Sequence, residues 1–147
     1  MKLTITTPVK ANYLDIKENF NEQLFIKLSP PFPPVRLLRF DGCQKGDIVS
    51  LELNFIFFRQ AWTSVITMDN TDKGTFEFVD EGKQLPFFLS SWRHHHKIKR
   101  VSDEESEIID DIEFTSPAKL LDYLLFPSLW LQFSYRKPIY RKVLGSR

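Results

Sequence analysis

A chain of 147 residues has the length of one ordinary domain, and its net charge of +1 lacks the basic excess of proteins that wrap phosphate backbones, so no nucleic-acid partner is expected. Leu, Ile, Val and Phe make up a third of the sequence, which excludes wholesale disorder. Aromatic content reaches 14%, with 14 Phe, and predicts an aromatic interior. The single cysteine, Cys43, allows neither an internal disulfide nor a thiolate-rich metal site, as in a reducing compartment. Met1–Thr7 alternates apolar and polar residues instead of forming a signal-peptide core. No window approaches the roughly 18 apolar residues of a membrane span. A cytoplasmic location without a membrane span is expected.

Leu3 and Ile5 alternate with Thr4 and Thr6, the period of a first strand. Tyr13, Ile16, Phe20, Leu24 and Leu28 then recur at steps of three and four, predicting one helix capped by Asn12. Pro30-Pro31-Phe32-Pro33-Pro34 ends it and predicts a stiff, extended connector that presents Phe32. From Val35 to Thr115 the pattern is all strand. The predicted strands are Val35–Phe40, Asp47–Phe58, Ala61–Asn70, Thr75–Glu81, Phe87–Val101 and Glu105–Thr115, and most of the turns between them are rich in Gly, Asn and Asp. Such short connections predict an antiparallel meander of about seven strands, counting the first. Cys43 falls in the turn Asp41–Gly46 and is expected to be exposed and reactive. After Pro117, Leu120, Leu121, Leu124 and Leu125 return to helical spacing. Pro127 suits the first turn of a further helix, which Pro138 should kink. The bases Arg136, Lys137, Arg141 and Lys142 suit the negative end of that helix's dipole. No repeat, low-complexity tract or linker interrupts residues 1–147, so a single domain is expected.

Chemistry concentrates on Phe88–Ile98. Phe88, Ser90, Trp92, His94, His96 and Ile98 share one face of a strand, and His95 lies on the other with Arg93 and Lys97. On the next strand Ile108, Asp110, Ile112 and Phe114 share the inner face. A hairpin centred near Asp103 sets His96 opposite Asp110 and His94 opposite Ile112, giving a buried carboxylate an imidazole partner. Three readings stay open. One is a structural His96–Asp110 pair that fixes the register. Another is a pocket where His94, His96 and Asp110 bond the polar end of a ligand. The third is a metal site on His-x-His, for which no third ligand is evident. No nucleophile motif or Gly-rich phosphate loop accompanies these groups. Elsewhere Trp62 shares a face with Ser64, Ile66 and Met68. Val49, Leu51, Leu53, Phe55 and Phe57 form an inward row, and Phe76, Phe78 and Asp80 another. Phe126, Leu129, Trp130, Phe133, Tyr135 and Tyr140 supply a helix wall.

Strand, helix, prolines, six antiparallel strands and a long final helix are the order of an α+β helix-grip domain. Several segments add to it: Thr7-Pro8-Val9, Pro30–Pro34 leading into Arg39-Phe40-Asp41-Gly42, Phe78-Val79-Asp80-Glu81-Gly82, Trp92-x-His94-x-His96, Asp110, and Phe133-x-Tyr135-Arg136. In these the chain resembles the START-like SRPBCC ligand-binding superfamily, in particular its small bacterial members. His95, as a third consecutive histidine, and the acidic Ser102–Glu107 depart from the pattern. The resemblance implies a curved sheet around the long C-terminal helix, enclosing an apolar cavity for a small hydrophobic molecule. Such domains include lipid carriers, hormone and polyketide binders, cyclases and hydratases, so fold leaves activity open. The candidate ligand-binding residues are Trp62, Phe78, Phe88, Trp92, His94, His96, Asp110, Trp130 and Phe133. No cofactor or metal is expected. The alternative is a cyclase, hydratase or isomerase using His94, His96 and Asp110, and a further one is an interaction module with a filled core.

Overall fold

Alternation along Lys2–Val9 is realised as strand β1, which buries Leu3, Ile5, Thr7 and Val9 and exposes the residues between them. The structure, a computed structural model, describes residues 1–145. Two short helices follow, α1 (Tyr13–Glu18) and α2 (Glu22–Lys27). Then come β2 (Val35–Phe40), β3 (Ile48–Asn54), β4 (Arg59–Asp72), β5 (Thr75–Gln84), β6 (Ser91–Arg100) and β7 (Ser106–Thr115). The strands form one seven-stranded antiparallel sheet in the order β1-β7-β6-β5-β4-β3-β2. It curls around α3 (Lys119–Leu144), which buries Leu129, Phe133, Tyr140 and Leu144. The architecture is α+β, as the sequence predicts.

Two apolar clusters lie between the sheet and the helices. Ile16 and Leu24 of the short helices join Ile66, Phe78, Ile98, Ile108 and Tyr140 in one. Trp92, Ile112, Phe114, Leu129 and Phe133 are the centre of the other. A tight Lys73-Gly74 turn joins β4 to β5, and Gly74 takes a φ of 84°, where a side chain would strain the backbone.

Four local expectations are corrected. The helix predicted over Tyr13–Leu28 is broken around Phe20. Asn19 closes α1, and the Asn21 side chain accepts from the Leu24 amide to start α2, a local bond that outcompetes continuous helix. In α3 neither proline starts or ends the helix, because Leu129, Phe133 and Tyr140 anchor it on the sheet on both sides of Pro138. Pro127 leaves the carbonyl four residues back without its helical donor, and that residue, Tyr123, is exposed to water. Strand β3 stops at Asn54, whose side chain accepts from the Ile56 amide and turns the chain with Ile56 at a φ of 75°. Phe57 is consequently 94% exposed instead of facing inward. Strand β6 starts at Ser91, so Phe87 and Phe88 sit in the turn before it.

Cys43 also departs from expectation. Its thiol packs against the first cluster and points at the Phe20 carbonyl, 3.8 Å away. Burial, with the charges of Asp47 and Asp80 adding, pushes its pKa up to about 12. Iodoacetamide should therefore label native Cys43 slowly at pH 8, with the rate climbing as pH rises toward 12 instead of levelling off near 9. Labelling at the rate of a free thiol in the native protein would contradict the burial.

Candidate functional site

Strand β6 carries the polar centre, and strand parity decides what it presents. No register shift occurs along its pairing with β5 or β7. Trp92, His94 and His96 are buried together with Asp110, which is 0% exposed. His95 turns to the other face, where Nε2 lies 3.8 Å from the Glu77 carboxylate. The predicted hairpin register is present, with His96 opposite Asp110 and His94 opposite Ile112.

The side-chain bonds nevertheless run diagonally, which corrects the expected His96–Asp110 pair. His94 Nε2 donates to Asp110 Oδ1 on β7 at 2.8 Å, and His96 Nε2 donates to Asp80 Oδ2 on β5 at 2.7 Å. Asp80 is itself opposite His94, so each histidine reaches one residue pair along the ladder. The two imidazoles stack with centroids 3.5 Å apart, and Phe78 stacks on His96 at 4.2 Å. Trp92 Nε1 donates to the other Asp80 oxygen at 3.2 Å. Among these atoms His96 Nδ1 and Asp110 Oδ2 have no hydrogen-bond partner. Nor does the hydroxyl of Tyr140, a buried side chain whose neighbours include Asp110 and Arg136.

Ionisation follows from burial and pairing. Burial opposes charge on both acids, but the hydrogen bond from His96 holds Asp80 below the usual carboxylate range, and the bond from His94 does the same for Asp110. Burial, reinforced by neighbouring His94, pushes His96 down to about 4. His96 is therefore neutral near pH 7, while both acids are anionic.

These groups border a cavity of about 520 Å³ between the concave face of the sheet, α2 and α3. Of the predicted ligand-binding residues, Trp62, Phe78, Phe88, Trp92, His94, His96 and Phe133 line it. Asp110 does not. It stands behind His94, bonded to the imidazole edge. Trp130 is 48% exposed and lies outside the cavity, since it follows Leu129 by one residue and so sits about 100° round the helix from the buried stripe. Sequence reasoning missed Asp80, although its parity with Phe76 and Phe78 was the available signal. It also missed Arg136, which lines the cavity with its guanidinium 4.3 Å from the centre of the Phe133 ring.

Asp110→Asn should destabilise the protein by about 1–3 kcal/mol in urea unfolding, because the hydrogen bonding of buried His94 is disturbed. Asp111→Asn, on the opposite face of the same strand, should cost less than about 0.5 kcal/mol. Equal effects of the two would show that the buried network contributes nothing specific.

No protein-family model matches the sequence, and no curated protein matches it. Solved structures do match. The Zhui aromatase/cyclase from Streptomyces superimposes with a TM-score of 0.72 at 14% identity, covering 94% of this chain and 89% of that one. A Chromobacterium violaceum protein gives a TM-score of 0.73 at 9% identity, covering 100% and 99%. Norcoclaurine synthase from Thalictrum flavum, in complex with dopamine and hydroxybenzaldehyde, gives 0.63 at 12% identity, covering 95% and 86%. With its curled seven-stranded antiparallel sheet closed by a long C-terminal helix, the chain has the helix-grip fold and shares it with these structures.

Proposed function

We propose that the chain acts as one domain, residues 1–147, that binds a small, largely apolar molecule in the cavity with its polar end against Asp80, His94 and His96. The observation that carries this reading is the cavity itself. About 520 Å³ is within the range of small-molecule sites, and the wall is mostly aromatic and aliphatic. Trp62 and Trp92 meet edge to face at 4.8 Å on that wall, with Trp62 Nε1 donating to Ser64 and Trp92 Nε1 to Asp80. Their polar edges are thereby satisfied, and their ring carbons are left for apolar contact. A lipid-like or polyketide-like molecule has the required chemistry, and small aromatic molecules occupy the norcoclaurine synthase of the same fold. A free Cys43 supports a reducing, cytoplasmic setting. A module with a filled core is disfavoured by the cavity.

One observation favours the second reading, chemistry of the cyclase, hydratase or isomerase type. Asp110 grips Nε2 of His94 and leaves Nδ1 toward the Asp80 side, as an orienting carboxylate does for a general base. Turnover abolished by His94→Ala without loss of fold would establish it.

Native mass spectrometry before and after organic extraction should reveal a bound small molecule that extraction removes. With the extracted protein, 1-anilinonaphthalene-8-sulfonate should bind in the cavity and quench Trp62 and Trp92. The Val49→Trp/Leu51→Trp pair, which fills the cavity from β3, should weaken that binding roughly ten-fold or more, or about 1.4 kcal/mol, while unfolding stays cooperative. No dye binding, or equal binding by the filled variant, would refute the reading.

A further inference from the structure

We propose that Asp80, His94 and His96 form a binding site for one divalent first-row transition-metal ion, with Asp110 and Trp92 holding the ligands in place. This does not rest on the apolar-ligand reading. One donor atom from each of the three residues lies within 4.8 Å of the other two. His96 Nε2 is 2.7 Å and His94 Nδ1 3.7 Å from the same oxygen, Asp80 Oδ2. Ligands at about 2.0–2.2 Å in tetrahedral array stand roughly 3.4 Å apart, so these separations bracket what one ion needs.

The hydrogen-bond pattern points to a cation independently of those distances. Carboxylates only accept, so His94, which donates to Asp110 from Nε2, turns the Nδ1 lone pair of its neutral form toward Asp80 Oδ2. In that form two acceptors converge at the cavity wall. A cation between them converts that repulsion into two bonds.

The remaining contacts supply the outer layer that metal sites require. Asp110 holds the far nitrogen of His94, the arrangement that fixes a ligating imidazole's tautomer and orientation. Trp92 Nε1 anchors the Asp80 oxygen that is not needed for coordination. His96 would carry its proton on Nδ1 instead of Nε2 when ligating, and that nitrogen, now unpartnered, lies 3.9 Å from Asp110 Oδ1. One tautomeric shift frees the ligand atom and moves the proton to the orphaned nitrogen.

Two imidazoles and one carboxylate are a donor set that Zn2+ takes in catalytic sites and Fe2+ takes in facial triads, each with a coordination position open. All three residues line the cavity, so the open position faces it. An oxygen- or nitrogen-bearing end of a cavity ligand is the chemistry that would complete the sphere.

The test titrates the full chain, stripped with chelator, with ZnSO4 and CoCl2. Expected are one equivalent of Zn2+ bound, a raised melting temperature, and visible Co2+ absorption of tetrahedral type. The 15N ring resonances of His94 and His96 should shift on Zn2+ binding, and those of His95 should not. Asp80→Asn should abolish the Co2+ absorption, and Asp110→Asn should weaken binding roughly 10–100-fold while keeping it. His95→Ala should change nothing. The resonance readout on wild-type protein decides the matter even where a variant misfolds. No stoichiometric uptake, or shifts confined to His95, would overturn the proposal. Neither result bears on dye binding in the cavity, so the two readings fail separately.

Discussion

Two carboxylates stand inside an apolar interior, and much of the arrangement around them follows from that. Leaving a buried polar group without its partner costs about 1–3 kcal/mol, and more for a charged one, so an anion in such a place requires a donor of fixed geometry. Asp110 and Asp80 lie on the two strands that flank β6, and β6 answers with one histidine for each. A one-residue slip of β6 would replace both imidazoles by the outer-face side chains Arg93, His95 and Lys97. The crossed bonds thus pin three central strands at once. The network is incomplete, because His96 Nδ1, Asp110 Oδ2 and the Tyr140 hydroxyl lack partners. Unsatisfied buried polar atoms are costly, and of these three residues His96 also lines the cavity.

The cavity arises from the same strands that carry the network. A sheet closing around one helix packs well where helix side chains are long and inward, as at Phe133 and Tyr140. Toward β2 and β3 the helix recedes, and α2 with the Pro30–Pro34 segment forms the opposite wall. Proline locks that wall at little entropic cost, and its Phe32–Pro33 peptide is cis. The aromatic surplus is spent mostly here. Around the turns at this end Phe55 stacks on Phe58, Phe88 meets Phe55 and Phe87 edge to face, and Phe87 tilts against Phe58. Apolar walls and a buried polar cluster make an environment in which a single hydrogen bond or metal bond to a ligand is worth more than it would be in water.

The order of strands and the facing along β6 and β7 were written in the sequence. Period-two alternation is a property of each strand alone, so it placed Trp92, His94, His96 and Asp110 inside and His95 outside without knowledge of partners. Hairpin arithmetic about Asp103 gave the β6–β7 register, because the turn is short and one face is apolar. What the sequence left undecided is set across strands and layers. Side-chain partners are chosen by reach and competition, and a third strand supplying Asp80 redirected His96 away from Asp110. Helix breaks depended on whether packing or local capping won: Asn21 won in the short, lightly anchored segment, and sheet contacts won over Pro127 and Pro138 in α3. Cys43 and Phe57 exchanged their expected exposures because burial belongs to the surrounding layers, not to the turn or strand that a residue occupies. The cavity is the furthest from the sequence. It is volume that side chains leave unfilled, and only the relative placement of sheet, short helices and α3 determines it.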